Sequence, residues 1–242
     1  MSTEIKIENV FFGYEQGQEI LSQVSLHAGP AESIGLVGAN GVGKSTLLKL
    51  IVGLYLNFEG SIRVGDLEVE KKNLPEIRSR IGYVFQDSDS QLFMTTAYED
   101  VAFAPRNYGY PEDEVQRRAE RALEMTGIAH LREKQIYKMS GGEKKLVSIA
   151  TILSMTPEVI LMDEPSIALD PRNRRNLIRI LNTFNCLKII ASHDLDMILD
   201  TCERTILMAN GKIICDGPTK EILTNRELLE SNALELPFCL QK

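Results

Sequence analysis

The chain has 242 residues, with 27 Lys and Arg set against 34 Asp and Glu, for a formal net charge of −7. Hydrophobic residues make up 43% and charged residues 25%, which is ordinary globular usage and excludes wholesale disorder. The acidic balance argues against a sequence-independent grip on nucleic acid, and no apolar run approaches the roughly 18–20 residues that cross a bilayer.

The N-terminus, MSTEIKIENV, lacks the basic start and apolar stretch of a secretory leader. Residues 4–12 partly alternate, with Ile5 and Ile7 on one face and Lys6 and Glu8 on the other, which predicts a half-buried strand. Residues 60–65 (GSIRVG) predict another, so a small antiparallel lobe is expected. Three short apolar runs read differently. Residues 34–37 precede a Gly-rich loop, 159–162 precede Asp163, and 187–191 precede Ser192 and His193. Such runs fit strands buried on both faces of a parallel sheet, and ligands of open α/β sheets bind beyond the carboxyl ends of those strands. Helical patterns cover 112–124 and 141–153, the latter with Leu146, Ile149, Ala150 and Leu153 on one face. Asn210-Gly211, between the apolar runs 205–208 and 212–215, signals a hairpin. Cys186, Cys202, Cys215 and Cys239 form no CxxC pair, which argues against a zinc site or a disulfide framework.

Residues 38–45, GANGVGKS, fit G-x-x-x-x-G-K-[ST]. Gly38, Gly41 and Gly43 let the backbone wrap a phosphate, Lys44 supplies a point charge, and the Ser45 hydroxyl suits Mg²⁺. The helix that begins near Lys44 turns its positive dipole end to the anion. A second segment, VILMDEPS (159–166), ends an apolar strand in Asp163, suited to Mg²⁺, and Glu164, suited to orienting or deprotonating a water. Ser140-Gly141-Gly142 opens the helical run, with Ser140 a natural N-cap.

With these residues in this order the chain resembles the ATP-binding subunits of ABC transporters over nearly its whole length. The ordered landmarks are the phosphate loop, Gln86 in IGYVFQ, the signature MSGGE (139–143), VILMDE, the aspartate loop SIALDP (166–171), and His193 in IIASHD. The resemblance implies an α/β P-loop NTPase fold: a mainly parallel sheet with flanking helices, an antiparallel β lobe, and an inserted helical subdomain. Residues 1–86 and 157–242 would form the nucleotide-binding core and 87–156 the helical subdomain of one domain. It implies ATP and Mg²⁺ as ligands. Catalytic roles fall to Glu164, His193, Lys44 and Gln86. Nucleotide contacts fall to Tyr14, by stacking on adenine, and to Gly38, Asn40, Gly41, Gly43, Lys44, Ser45, Thr46, Ser140, Gly141, Gly142 and Asp170. Mg²⁺ contacts fall to Ser45, Gln86 and Asp163. Three positions depart from the common pattern: Met139 for Leu, Glu143 for Gln, and Ala168 for a frequent Gly.

The family implies two ATPase subunits, identical or paralogous, facing head to tail, with ATP between the phosphate loop of one and the signature of the other. A transmembrane coupling subunit would complete the assembly at the cytoplasmic face of the membrane, and no nucleic acid is expected. DSDSQLF (87–93) and YEDVAFAPRNYGYP (98–111) are similar to the ATPases of energy-coupling-factor and cobalt-type importers. That branch implies a groove beside Gln86 for a coupling helix, and the short C-terminal stretch after Gly217 points to cobalt or nickel as cargo. A vitamin-type importer and a non-transport ATPase such as an iron–sulfur assembly subunit remain as alternatives.

Overall fold

The computed structural model describes residues 3–15 and 17–241. Met1 and Ser2, the start of the segment read for a leader, lie outside them. In chain order the elements are β1 (Ile5–Phe12), β2 (Leu21–Ala28), β3 (Ser33–Val37), α1 (Lys44–Ile51), β4 (Glu59–Val64), β5 (Leu67–Glu68), α2 (Leu74–Arg80), β6 (Ile81–Val84), α3 (Ala97–Asn107), α4 (Glu112–Met125) and α5 (Gly141–Leu153). They continue with β7 (Val159–Asp163), α6 (Pro171–Thr183), β8 (Leu187–Ala191), α7 (Leu195–Thr201), β9 (Arg204–Ala209), β10 (Lys212–Pro218), α8 (Thr219–Thr224) and α9 (Arg226–Ser231). The chain divides into two compact units. The first holds the residues up to Ile81, Glu158–Glu164 and the residues from Asn185 on; the second holds Gly82–Pro157 and Pro165–Phe184.

In the first unit, strands run side by side in the order β10-β9-β3-β8-β7. β3 pairs in parallel with both β8 and β9, β7 pairs in parallel with β8, and β10 returns antiparallel on β9. Every residue of β3, β7 and β8 is buried, as continuous apolar runs require. All three point their carboxyl ends the same way, which delivers the loops after Val37, Asp163 and Ala191 to one rim. A second sheet, β2-β1-β4-β5, is antiparallel. In β2, buried and less buried positions largely alternate, with Leu21, Val24, Leu26 and Ala28 inside. Asn210 and Gly211 turn β9 into β10 with φ of 48° and 73°, the positive pair of a type I′ hairpin.

The second unit is helical. α3 and α5 each begin with a capping box, Thr96 with Glu99 and Ser140 with Glu143, an arrangement in which one side chain satisfies two otherwise orphan N–H groups together with its partner. α4 buries Val115, Ala119, Ala122 and Leu123 and carries its charges outside, where Glu114 pairs with Arg117 and Arg118. α3 lies against both α4 and α5. The Asn176 side-chain amide of α6 donates to the carbonyl of Thr126 at the end of α4 (3.2 Å).

Candidate active site

The phosphate loop leaves β3 at Val37 and enters α1 at Lys44. Gly43 caps α1 in the left-handed region at φ 105°, where a side chain would also strike Leu21 Cδ2 at 2.5 Å. Gly38 has φ 150°, and a Cβ there would lie 2.3 Å from the Met208 carbonyl of β9. The loop is therefore pressed against its own sheet on one side and the β2 start on the other, and only glycine fits at those two points. Gly41 and Asn40 are exposed at the tip. Lys44 is buried, its Nζ donating to the carbonyls of Gly38 (2.6 Å) and Ala39 (3.0 Å). Burial pushes the Lys44 ammonium below its ordinary pKa, and the carboxylates of Glu164 and Asp163 oppose that shift.

Ser45 and Asp163 are 118 positions apart, yet the Ser45 hydroxyl donates to Asp163 Oδ1 at 2.8 Å. The strand order makes this meeting: Asp163 ends β7, two strands from β3. Burial pushes the Asp163 carboxyl up, and the Ser45 hydrogen bond only partly offsets this. A hydroxyl and a carboxylate side by side form a hard oxygen pair. Mg²⁺ favours such a pair when phosphates and water complete its octahedron. Among the described residues there is no cluster of three or more His, Cys, Asp or Glu that could hold a metal ion.

Glu164 follows in the left-handed region, φ 49°, a conformation that costs a non-glycine residue about 1–2 kcal/mol. Its N–H donates to the Ala191 carbonyl at 2.8 Å. The buried carboxylate accepts from the Ser192 hydroxyl and the His193 N–H, both at 3.2 Å, and lies 2.8 Å from His193 Nδ1. The strained backbone thus aims a carboxylate at the loop after β8, while the His193 ring remains more than half exposed. Backbone strain held by surrounding bonds is a feature of working sites.

Tyr14 stands beside this loop. Its hydroxyl is 2.9 Å from Thr46 Oγ1, and its ring meets Phe12 and Tyr55 edge-on, with centroids 5.1 and 5.3 Å away. The ring is about half exposed. An open cavity of about 420 Å³ adjoins it, lined by Phe11, Phe12, Gly13 and Asn57 among others.

The second unit carries the signature. Ser140 Oγ accepts from the Glu143 N–H (3.3 Å), and the Glu143 carboxylate accepts from the Ser140 N–H (2.8 Å). The Lys134 ammonium clasps the same carboxylate at 2.8 and 2.9 Å, and together they hold it below the usual carboxylate range. The extra negative charge at position 143 is thus neutralised locally and spent on capping α5. Gly141 and Gly142 lie on the segment around Ala168: a Cβ on Gly142 would come within 3.0 Å of the Ala168 carbonyl. Ala168 itself sits at φ 68°, which explains why glycine suits that position. Asp170 is the N-cap of α6, accepting from the N–H groups of Arg172 (2.8 Å) and Asn173 (2.9 Å) and from the Asn173 amide (2.8 Å). The Gln86 side chain is exposed, and its carbonyl accepts from Lys145 Nζ at 2.7 Å.

Lys44, Ser45, Thr46, Tyr14, Asp163, Glu164 and His193 are thus assembled within the first unit, and Ser140, Gly141, Gly142, Asp170 and Gln86 lie in the second. Sequence reasoning overlooked Lys134, Gln91 and Lys145. Lys134 sits outside any motif, Gln91 lies in the DSDSQLF segment but was given no role of its own, and Lys145 follows the signature in a charged run that reads as solvated.

The ABC transporter family matches residues 21–167. An ABC transporter ATP-binding protein of Geobacter sulfurreducens is 46% identical over 98% of this chain and 95% of its own length. The energy-coupling factor transporter ATP-binding protein EcfA of Carboxydothermus hydrogenoformans is 38% identical over 100% of this chain and 90% of its own. Among solved structures, cbiO1 of Clostridium perfringens, part of the ABC transporter complex cbiONQ, is 34% identical with a TM-score of 0.83, covering 96% of this chain and 94% of that one. The fold is that of an ABC ATPase, and with these matches the chain belongs to the ABC transporter family, as an ATP-hydrolysing subunit.

Proposed function

We propose that this chain powers an importer of the energy-coupling-factor or cobalt type, working as one ATPase domain at the cytoplasmic face of a membrane. Among the described residues no helix is long and apolar enough to cross a membrane, so contact with the bilayer runs through a partner. The observation that carries the reading is the Phe93–Phe103 pair. The rings stack edge to face at 4.8 Å, and Phe93 is 65% exposed. Buried Asp100 accepts from the N–H groups of Phe93 and Met94, both at 3.2 Å, and so fixes the backbone beneath the exposed ring. Exposed aromatic anchors on a rigid backbone suit docking by an amphipathic helix. The similarity to EcfA and cbiO1 supports the branch, and cobalt or nickel is the cargo we assign.

In this reading ATP lies on the Gly38–Thr46 loop with Lys44 at its β- and γ-phosphates, and adenine stacks on Tyr14. Ser45, Asp163 and Gln86 would hold Mg²⁺, which neutralises charge on the phosphates. Glu164 accepts the proton of, or orients, the attacking water, and His193 fixes Glu164 and the γ-phosphate. The Ser140–Gly142 end of α5, with its N–H groups and dipole, addresses the same phosphate from a second subunit, identical or paralogous. Binding ATP thus favours the closed pair, and hydrolysis releases it.

Mixed pairs test this. Ser140→Ala in one subunit should impair the site that holds the other subunit's Lys44 and spare its own. Loss confined to the altered subunit's own Lys44 site would reject the shared site. Recovery of a transmembrane subunit with the parent chain, but not with Phe93→Asp, would support the importer assignment, and equal recovery would count against it.

A further inference from the structure

The segment that carries Gln86 is bonded to the signature helix through side chains that no nucleotide role requires. Lys145, only 1% exposed, lies on α5 five residues after Ser140. Its Nζ donates to the carbonyls of Phe85 (3.0 Å) and Gln86 (2.7 Å). From the other direction, Gln91 Oε1 accepts the Phe85 N–H at 3.1 Å, while its Nε2 donates to the Ser148 carbonyl (2.8 Å) and to Thr151 Oγ1 (2.9 Å), both on α5. Lys144 adds an ion pair to Asp89 at 2.5 Å. Residues 144, 148 and 151 form one stripe of α5, with 145 at its edge. Beyond the end of β6 at Val84, three backbone groups, the Phe85 N–H and the Phe85 and Gln86 carbonyls, are therefore taken by two side chains.

A buried ammonium is a costly way to fill space. Its desolvation costs several kcal/mol unless its protons are all bonded, and a leucine or methionine would fill the same volume without that cost. Two neighbouring carbonyls held by one charge form a short, stiff connection, since charge-assisted bonds are about twice as strong as neutral ones. Gln91 has all its polar atoms committed between the same two segments.

We propose that Lys145 and Gln91 are positioning residues that fasten the Gln86 segment to α5, so that displacement of the Ser140 end of the helix moves Gln86 and the Phe93 surface with it. The inference rests on the ATP-site reading above and deepens it: the clasp links the signature to the partner-facing surface.

The test uses the purified chain in its active assembly, measuring ATP turnover, KM for ATP, and amide hydrogen exchange at residues 85–91. Lys145→Met should lower kcat about tenfold or more, leave KM within about threefold, and speed exchange at 85–91. Lys145→Arg, whose guanidinium can reach both carbonyls, should restore most of the rate. Gln91→Leu should reproduce the loss and expose the Phe85 amide to exchange. A folded Lys145→Met with parental kcat overturns the proposal. So does a loss that Lys145→Arg leaves unrepaired with exchange at 85–91 unchanged. If Lys145→Met does not fold, Gln91→Leu decides by the same readings. Lys44→Ala serves as the separate control: if it turns over ATP as the parent does, the ATP-site reading fails, whatever Lys145 does.

Discussion

Glu164→Gln isolates the chemistry from the architecture. Glutamine keeps the length and shape of the side chain, and its amide oxygen can still accept from the Ser192 hydroxyl and the His193 N–H that now reach Oε2 at 3.2 Å. What it loses is the negative charge 2.8 Å from His193 Nδ1 and the capacity to take a proton from water. A positioned general base contributes about 10²–10⁴ in rate, or about 3–5 kcal/mol of barrier. The left-handed backbone at position 164 is unaffected, because both residues pay the same cost there. Phosphate release under saturating ATP should therefore fall at least a hundredfold, while ATP affinity, which the proposed function assigns to the Gly38–Thr46 loop, should be retained. The closed, ATP-loaded pair should accumulate and be visible by size-exclusion chromatography. Hydrolysis at the parental rate with intact folding would refute the assignment of Glu164, and loss of ATP binding would show that the carboxylate serves the loop instead.

Two further outcomes follow from the same geometry. Burial raises the Asp163 carboxyl, so the ionised form is disfavoured in the folded chain. A raised carboxyl favours folding below the unfolded pKa and loses that advantage as pH rises through the folded value. Asp163→Asn should then melt above the parent at pH 7, with the gap closing as pH falls into the ordinary carboxylate range, and it should hydrolyse no ATP. A variant that melts below the parent at pH 7 would contradict the burial argument. Ala168→Gly relieves a non-glycine residue at φ 68°. It should stabilise by about 1 kcal/mol, equivalent to about 2–4 °C in Tm for a chain of this size. Unchanged or lower Tm by calorimetry would show that the surrounding contacts favour the methyl group.

Local patterns made much of the fold legible. The apolar runs that became β3, β7 and β8 read as doubly buried strands because their burial is uniform and needs no partner to be recognised. Asn210-Gly211 declared its turn because few dipeptides accept two positive φ values. GANGVGKS suggested phosphate binding by its spacing, whereas VILMDE and MSGGE acquired meaning only from their order along the chain and the family resemblance. β2 was not anticipated, since the alternation of its buried positions breaks between Leu21 and Val24 and its pairing with β1 slips twice.

Tertiary structure decided which polar groups meet. Ser45 touches Asp163 because β8 separates β7 from β3 by one strand's width and the carboxyl ends share a rim. Glu164 faces His193 because β7 and β8 run parallel in register. Lys134 quenches Glu143, and Lys145 and Gln91 hold Phe85 and Gln86. None of these follows from residue type, since a charged or amide side chain reads as solvated until packing removes the water around it. Local sequence determines the elements and the loop chemistry, because those depend on dihedral preference and periodicity. Pairing across tens of residues is set by the order in which the elements pack.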